Sequence, residues 1–272
     1  MSFYNETWDK PYLTPSIAKV LHDKSPLHAR AECPYFGEKA RRQSAAMTEG
    51  DIVDRLVFGD AMPETLVVSP FDEFRTKEAK AWRDDMEAAG MTIIKEATFN
   101  RCKEAADAVY AQAASAHPTA EKALKEGKIK ERITWQDENG LWLSTEPDIY
   151  LPSDRVVFDL KRTSIAANEA NWRRHVSNMN LAIQVAATLE ATGATDFGWL
   201  VIESAPPHCA VVHWASPELI DHGRHRWSRA KMIWAACVYD DDWPGYQSGL
   251  IDPMPWDLPD SEQLIFDGDD SE

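Results

Sequence analysis

The sequence predicts a mixed α/β fold, in which a central, partly antiparallel sheet is flanked by helices and follows a helical N-terminal half. Two observations support this prediction. Up to about residue 127, segments rich in Ala, Glu and Lys repeat apolar residues at helical spacing. From residue 129 onward, short segments of alternating apolar and polar residues are separated by turn signals and helical stretches. The resulting order, β-β-β-α-β-β-α, is typical of a sheet covered by helices.

The N-terminal half is expected to consist mainly of helices. Thr14, Pro15 and Ser16 form a helix-start signal ahead of an amphipathic stretch over residues 17–22. Composition and apolar spacing predict further helices over residues 38–58, 73–89 and 101–117. The segment 38–58 is expected to form either one helix or two helices joined near Gly50.

The second half is expected to form the sheet. Turn signals at residues 137–140 and 152–154 separate three predicted strands, over residues 129–135, 141–151 and 155–161. The remaining predicted elements are a helix over 167–191, strands over 197–203 and 210–214, and a helix over about 217–238.

One domain is expected to span residues 1–250, with its helical half over 1–127 and its α/β core over 128–250, before an acidic tail over 251–272. The chain has 45 acidic residues against 29 Lys and Arg, a formal net charge of -16. Such acidity usually argues against nucleic-acid binding. However, the tail holds eight acids and no Lys or Arg, so it carries half of the excess charge. The acidity therefore does not exclude a nucleic-acid partner.

The cysteines and the hydropathy narrow the class of protein further. Cys33, Cys102, Cys209 and Cys237 form no C-x-x-C pair, so zinc or iron–sulfur spacing is absent. No apolar run reaches the eighteen residues that a membrane helix needs, and residues 1–10 do not resemble a signal peptide. We therefore expect a cytoplasmic protein with reduced thiols and no membrane partner.

Charged side chains interrupt two neighbouring strands that otherwise look buried. Alternation within residues 141–151 places Asp148 opposite the apolar face, and alternation in the next strand makes Asp159 and Lys161 project together. If the turn pairs Leu151 with Val156, counting along both strands places Asp148 directly across from Asp159. The sequence therefore predicts two carboxylates and an ammonium at one point of the sheet.

Two carboxylates in directly opposed positions repel each other, because their Cβ atoms lie only about 4.5–5.5 Å apart. A divalent cation between Asp148 and Asp159 would remove this repulsion. Oxygen ligands favour Mg²⁺, or alternatively Mn²⁺, with the backbone carbonyl of Leu160 and water molecules completing the coordination. Lys161 beside the ion could hold a water molecule or stabilise negative charge on a phosphate.

The pair Pro147-Asp148, followed by Asp159-Leu160-Lys161, resembles the PD-(D/E)xK nuclease signature. Its place on a predicted hairpin, after helices and before a helix that carries Gln184, is similar to the RecB-like branch of this superfamily. The resemblance implies a restriction-endonuclease-like core and a metal-dependent nuclease. In such a nuclease Asp148, Asp159 and Leu160 bind the metal, whereas Lys161 and Gln184 complete the catalytic set.

The helix predicted over residues 167–191 has a polar stripe beside its apolar face. At 100° per residue, Arg173, Asn180 and Gln184 fall on this stripe. We expect these residues, together with Arg162 after the Asp-x-Lys motif, to contact DNA phosphates. The RecB-like pattern has a Tyr four residues after the Gln, where this sequence has Thr188.

Residues from about 11 to 256 are similar to phage-borne and prophage-borne exonuclease VIII (RecE-type) proteins. The similar segments are Leu13-Thr14-Pro15-Ser16, Gly50-x-x-x-Asp54-x-Leu56, Phe74-Arg75-Thr76-Lys77, Asn178-Met179 and Trp243-Pro244-Gly245-Tyr246. This resemblance implies Mg²⁺-dependent exonucleolysis of linear double-stranded DNA, 5′ to 3′, in phage-type recombination. It also implies a single-strand annealing recombinase as partner and a homo-oligomeric ring, either a trimer or a tetramer.

Asp54 stands where the RecE-type proteins commonly have a His near the metal. Because a carboxylate is a good Mg²⁺ ligand, we expect Asp54 to supplement Asp148 and Asp159. A ring would also reconcile the acidity with DNA binding, if basic residues line its channel. The candidate channel residues are Lys39, Arg41, Arg42, Arg162, Arg173, Arg174, Arg224, Arg226 and Arg229.

Two other functions remain open. Asp54 and Thr188, as departures from the family pattern, would also suit a catalytically degraded protein of the same fold that binds DNA ends or a recombination partner. The acidic balance would suit an assembly protein or a DNA mimic. For Asp148, Asp159 and Lys161 the structural alternative is a partly exposed ion pair at the strand ends.

Overall fold

The computed structural model describes residues 8–37, 45–246 and 248. Its helices are α1 (Pro15–Asp23), α2 (Pro26–Glu32), α3 (Ala45–Phe58), α4 (Lys77–Ala88), α5 (Glu96–Ala108), α6 (Pro118–Glu126), α7 (Glu169–Asn178), α8 (Leu181–Thr192) and α9 (Pro217–Asp240). Its strands are β1 (Leu66–Ser69), β2 (Thr92–Lys95), β3 (Lys128–Ile129), β4 (Ile133–Gln136), β5 (Trp142–Thr145), β6 (Ile149–Leu151), β7 (Val156–Thr163), β8 (Asp196–Glu203) and β9 (Ala210–Trp214). The predicted acidic tail lies outside the described residues.

The central sheet has five strands in the order β3-β6-β7-β8-β9. The β7–β8 pair is parallel, and the other three pairs are antiparallel. This arrangement confirms the predicted mixed fold with a partly antiparallel sheet. The described residues also form two small sheets, of β1 with β2 and of β4 with β5.

Alternation along β7 sends its side chains into two different hydrophobic cores. Val156 and Phe158 pack with residues of α3, α5 and α6 on one face of the sheet. Val157 packs with residues of α7 and α8 on the other face. Asp159 shares the face of Val157, so it points toward α8, as the period of two predicts.

A third core fixes the N-terminal segment to the α8 side of the molecule. Apolar residues of α1, α8 and α9 form this core, among them Leu21, Ile183 and Trp227. Helix α1 begins as predicted, because the Thr14 hydroxyl accepts a hydrogen bond from the backbone N–H of Ile17 at 3.3 Å. Trp172, Trp227 and Trp234 are buried, as their helical positions predict.

Three predicted elements are interrupted in the structure. The predicted strand over residues 141–151 is wrong as one element, because β5 and β6 belong to different sheets. Pro147 between them has no N–H with which to continue a ladder. The predicted strand over 129–135 is split at Lys130, and the predicted helix over 167–191 is split at Asn180. Both of these residues adopt left-handed backbone conformations, with φ of 48° and 49°.

The N-terminal half contains more strand than the sequence predicts. Strands β1 and β2 pair in parallel, from Leu66 with Thr92 to Ser69 with Lys95. Each is only four residues long, which gives alternation too few positions to be recognised. Helix α6 was also not predicted. The predicted helix over 38–58 is confirmed from Ala45 as one continuous helix through Gly50, and residues 38–44 lie outside the described part.

Gly223 lets α9 pass very close to α8. A Cβ atom at this position would lie 2.2 Å from the backbone oxygen of Ala182, an atom that cannot turn aside. We therefore expect Gly223→Ala to lower the free energy of unfolding, measured by urea denaturation, by about 1–3 kcal/mol.

Gly50 provides the matched control, because it also lies within a helix but a Cβ atom there would have no packing neighbour within 4 Å. Gly50→Ala is expected to raise the free energy of unfolding by about 0.5–1 kcal/mol through higher helix propensity. Equal changes in the two variants would contradict the close α8–α9 contact.

Candidate active site

The β6–β7 hairpin has the register that the sequence predicts. Leu151 pairs with Val156 and Tyr150 with Val157, and the ladder ends where Ile149 pairs with Phe158. Asp148 lies one residue beyond this last pair. Its carboxylate Oδ2 accepts a hydrogen bond from the backbone N–H of Leu160, at 2.8 Å. The side chain of Asp148 therefore reaches across to β7, next to Asp159.

Asp159 is a buried acid held by two side chains. It is only 4% exposed. Its Oδ1 accepts a hydrogen bond of 2.6 Å from Nε2 of Gln184, which α8 brings over the sheet. Its Oδ2 lies 2.5 Å from Nζ of Lys161, two residues further along β7. The structure thus brings Asp148, Asp159, Lys161 and Gln184 together.

The acids of the site disturb each other's ionisation. Burial raises the pKa of Asp148 to about 8, and the charge of Asp159 contributes further to this rise. Burial alone would lower the pKa of Lys161, but the charges of Asp159 and Asp148 outweigh burial and raise it. Lys161 therefore remains an ammonium, while Asp148 needs a further positive charge to ionise at neutral pH.

Asp54 approaches the site from the opposite side of the sheet. It lies on α3, and its carboxylate forms a short ion pair with Lys130. Burial raises the pKa of Asp54 against the opposing effect of Lys130. Asp54 is nevertheless close enough to raise the pKa of Asp148 and to contribute to that of Lys161.

The donor set fits a hydrated divalent cation. Within residues 8–37, 45–246 and 248, no three His, Cys, Asp or Glu side chains converge into a metal cluster. Mg²⁺ usually keeps several waters and uses only one or two carboxylates, which Asp148 and Asp159 can supply. Oδ2 of Asp159 is fully buried, and its partner among the described residues is already a cation, the Lys161 ammonium at 2.5 Å. A buried oxygen of this kind is suited to binding a cation.

The polar stripe predicted along one helix does not form, because the chain turns between α7 and α8. Arg173 is exposed on α7 and forms an ion pair with Glu169 of the same helix. Asn180 is buried at the break between the two helices, where its amide contacts Asp23 and Arg226. Of the three predicted stripe residues, only Gln184 contacts an acid of the candidate site, Asp159.

Arg162, also predicted to contact DNA, is already engaged within the protein. Its guanidinium lies 2.6 Å from a carboxylate oxygen of Glu49 on α3 and donates to the backbone oxygen of Ser204 at 3.3 Å. Contacts of Arg162, Arg173 and Asn180 with DNA remain predictions.

The residue that departs from the RecB-like pattern lies away from the acids. Thr188 is one turn beyond Gln184 on α8, is 2% exposed, and has its hydroxyl 3.3 Å from that of Thr145 in β5. This position therefore packs α8 against β5.

Two lysines lie near these acids although their sequence positions do not predict it. Lys130 pairs with Asp54 and also donates its backbone N–H to the carbonyl of Asp148, at 3.1 Å. Lys19 of α1 is within electrostatic range of Asp159 and Lys161. Neither belongs to a recognisable motif, so only the folded chain shows their proximity.

Comparison with known proteins supports the fold. No protein-family model and no curated protein sequence matches the chain. The solved structure of a "putative exonuclease" from Eubacterium rectale is similar, with a TM-score of 0.60 and 13% identity over 93% of this chain and 96% of that one. A phage-related exonuclease from Haemophilus somnus 129PT also matches, with 13% identity, 83% and 95% coverage, and a TM-score of 0.33.

The first of these similarities shows that this chain shares the fold of the Eubacterium rectale protein, in agreement with the predicted fold class. The TM-score of the second is too low to support an argument. In the described part of the chain, no helix has both the length and the apolar character required to cross a membrane.

Proposed function

We propose that this protein is a Mg²⁺-dependent deoxyribonuclease that hydrolyses phosphodiester bonds of linear double-stranded DNA from its ends. The observation that carries the proposal is the meeting of Asp148 and Asp159 on adjacent strands, with Lys161 2.5 Å from Asp159. A buried acid such as Asp159 beside a second, half-buried acid is costly for folding, and such pairs are typical of functional sites. The fold, shared with the "putative exonuclease" of Eubacterium rectale, supports the same class of reaction.

Each residue of the site has a distinct chemical role in this proposal. Asp148 and Asp159, with the carbonyl of Leu160, would hold Mg²⁺, which lowers the pKa of a bound water and polarises the phosphate. Lys161 remains positively charged beside the acids, so it can stabilise negative charge that develops on the phosphate. Gln184 fixes the orientation of Asp159 and retains a second N–H for a phosphate oxygen. Asp54 can bind the metal ion only if its carboxylate gives up the ion pair with Lys130.

The resemblance to RecE-type proteins adds finer parts to the proposal. On this basis we propose that the protein degrades DNA from 5′ to 3′ and acts in phage-type recombination with a single-strand annealing recombinase. We also propose that it assembles into a trimeric or tetrameric ring. A ring would direct the basic residues toward a channel and the acidic residues outward, which would allow an acidic protein to bind DNA.

The decisive experiment follows the fate of end-labelled linear duplex DNA with the purified protein. With Mg²⁺ we expect progressive release of label from linear DNA, release of a 5′ label before an internal one, and no attack on covalently closed circles. EDTA should stop the reaction. Intact linear DNA with both Mg²⁺ and Mn²⁺, despite measurable binding of DNA ends, would overturn the proposal and favour a degraded nuclease that acts as a binding module.

A further inference from the structure

Two helix faces place basic side chains beside each other near the candidate active site. Lys19 and His22 lie one turn apart on α1, and His222, Arg226 and Arg229 lie on one face of α9. Helices α1 and α9 pack together through the core that α8 also joins. Burial lowers the pKa of His22, and the charges of Arg226, Arg229 and His222 lower it further, so these groups are within electrostatic range. We call these five residues the α1–α9 basic tract.

Asn180 connects this tract to the acids. Its Nδ2 donates a 2.6 Å hydrogen bond to Asp23, at the end of α1, and its Oδ1 accepts one from Arg226 of α9. Gln184, which holds Asp159, follows four residues later on α8. Four residues of helix correspond to a rise of about 6 Å. The tract therefore begins about one helical turn from the candidate active site.

The basic groups of the tract differ from those nearer the acids in their partners. Lys130, Lys161 and Arg162 are each paired with an acid. In contrast, neither Lys19 nor Arg229 has an ion-pair partner among the residues that the structure describes, and Arg226 donates to the neutral side chain of Asn180. In a chain with 45 acidic residues, unpaired cations on adjoining helices require an explanation.

Lys19 is the most buried of these cations without an ion-pair partner. It is only partly exposed. Burial lowers its pKa to about 8, with a further contribution from the positive charge of Lys161, although Asp159 and Asp23 act in the opposite direction. A partly buried ammonium without a paired acid is costly, and an anionic ligand would offset that cost.

We propose that the α1–α9 basic tract binds the phosphate backbone of the DNA strand that enters or leaves the candidate active site, with Lys19 at the phosphate nearest to Asp159. This inference rests on the proposed function. Unpaired cations on two adjoining helices suit the anionic phosphate backbone, and such contacts position a strand without reading its sequence. Asn180 has a positioning role, because it holds Arg226 and the end of α1 in place.

The test measures DNA binding in EDTA, where no cleavage can occur. The probe is a fluorescent duplex with a single-stranded overhang, titrated at several salt concentrations with wild-type protein, Lys19→Gln, Arg229→Gln and the double variant. We expect each single variant to weaken binding several-fold and the double variant at least about tenfold. Each lost phosphate contact should also reduce the slope of log affinity against log salt by about 0.7–0.9.

Lys125→Gln is the control. Lys125 lies on α6, is exposed, and pairs with Glu121 of the same helix at 2.5 Å. Its replacement should change affinity less than twofold. Unchanged affinity and salt slope in the Lys19 and Arg229 variants, or an equal loss in Lys125→Gln, would overturn the inference. Equal competition by polyglutamate at matched charge would also overturn it, because the tract would then bind acidic peptides.

Lys19→Arg guards against a merely structural effect. This variant keeps the charge, so it should retain most of the binding that Lys19→Gln loses; loss of binding in both, with unchanged thermal unfolding, would contradict the inference. The two proposals can also fail separately. Tract-dependent binding without cleavage in Mg²⁺ would remove the nuclease proposal alone, whereas cleavage with normal binding by the tract variants would remove the tract alone.

Discussion

Asp159→Asn is expected to slow Mg²⁺-dependent degradation of linear DNA by at least about 100-fold, the loss that follows removal of one preorganised electrostatic group from an active site. Asn keeps the shape of Asp and an oxygen that can still accept the hydrogen bond from Gln184. It removes the charge that Lys161 and a bound cation both require. Initial rates of nucleotide release, measured over a range of Mg²⁺ concentrations, check this prediction.

A second acid of the same hairpin serves as the control for this experiment. Asp154 lies in the turn between β6 and β7, at the other end of β6 from Asp148, and forms an ion pair with Lys122 at 2.6 Å. Asp154→Asn should degrade DNA at the wild-type rate. If Asp159→Asn retained full activity, Asp159 could not be a metal ligand and the proposed mechanism would be wrong.

The part of the site that the sequence could predict is the part that depends on local rules. Turn residues after Leu151 fix the hairpin register, and the strand period of two then fixes which side of β7 carries Asp159 and Lys161. Helical periodicity also places Gln184 beside the core of α8, from where it reaches Asp159. These predictions need no knowledge of distant contacts.

The parts that could not be predicted depend on backbone conformations and contacts between distant segments. The left-handed conformations of Lys130 and Asn180 break two predicted elements, and neither residue is a glycine that would signal such a conformation. The break at Asn180 turns Arg173 away from Gln184. The ion pair of Asp54 with Lys130 joins residues 76 positions apart, so no spacing pattern could reveal it.

Asp148→Asn is expected to make the metal-free protein more stable, even though it should impair metal binding. Asp148, which is half-buried, has a folded-state pKa of about 8, against an ordinary value of 3.8, because partial removal from water and the neighbouring charge of Asp159 both disfavour its ionised form. Between these two values the folded protein retains a proton that the unfolded chain has released. The free energy of unfolding of the wild type therefore falls as pH rises through this window, by on the order of 1 kcal/mol per pH unit.

The Asp148→Asn variant has no ionisable group at this position. Its amide oxygen can still accept the hydrogen bond that the backbone N–H of Leu160 donates to Asp148 in the wild type. In EDTA its melting temperature should therefore exceed that of the wild type, by a margin that grows from pH 5 to pH 8 and then levels off. Thermal unfolding across this pH range measures the difference.

Asp154→Asn is the control, because the pKa of Asp154 is shifted in the opposite direction from that of Asp148. Hydrogen bonds from Lys122 and then Ser153 lower the pKa of Asp154. Its carboxylate contributes stability at neutral pH that is lost on acidification, so this variant should not gain stability as pH rises. Added Mg²⁺ should raise the melting temperature of the wild type much more than that of Asp148→Asn, since only the wild type keeps both acids to bind the ion. Two results would contradict this prediction: equal stabilisation of the wild type and Asp148→Asn by Mg²⁺, or lower stability of Asp148→Asn than of the wild type in EDTA at pH 8. Either result would show that a cation does not act by relieving repulsion between Asp148 and Asp159.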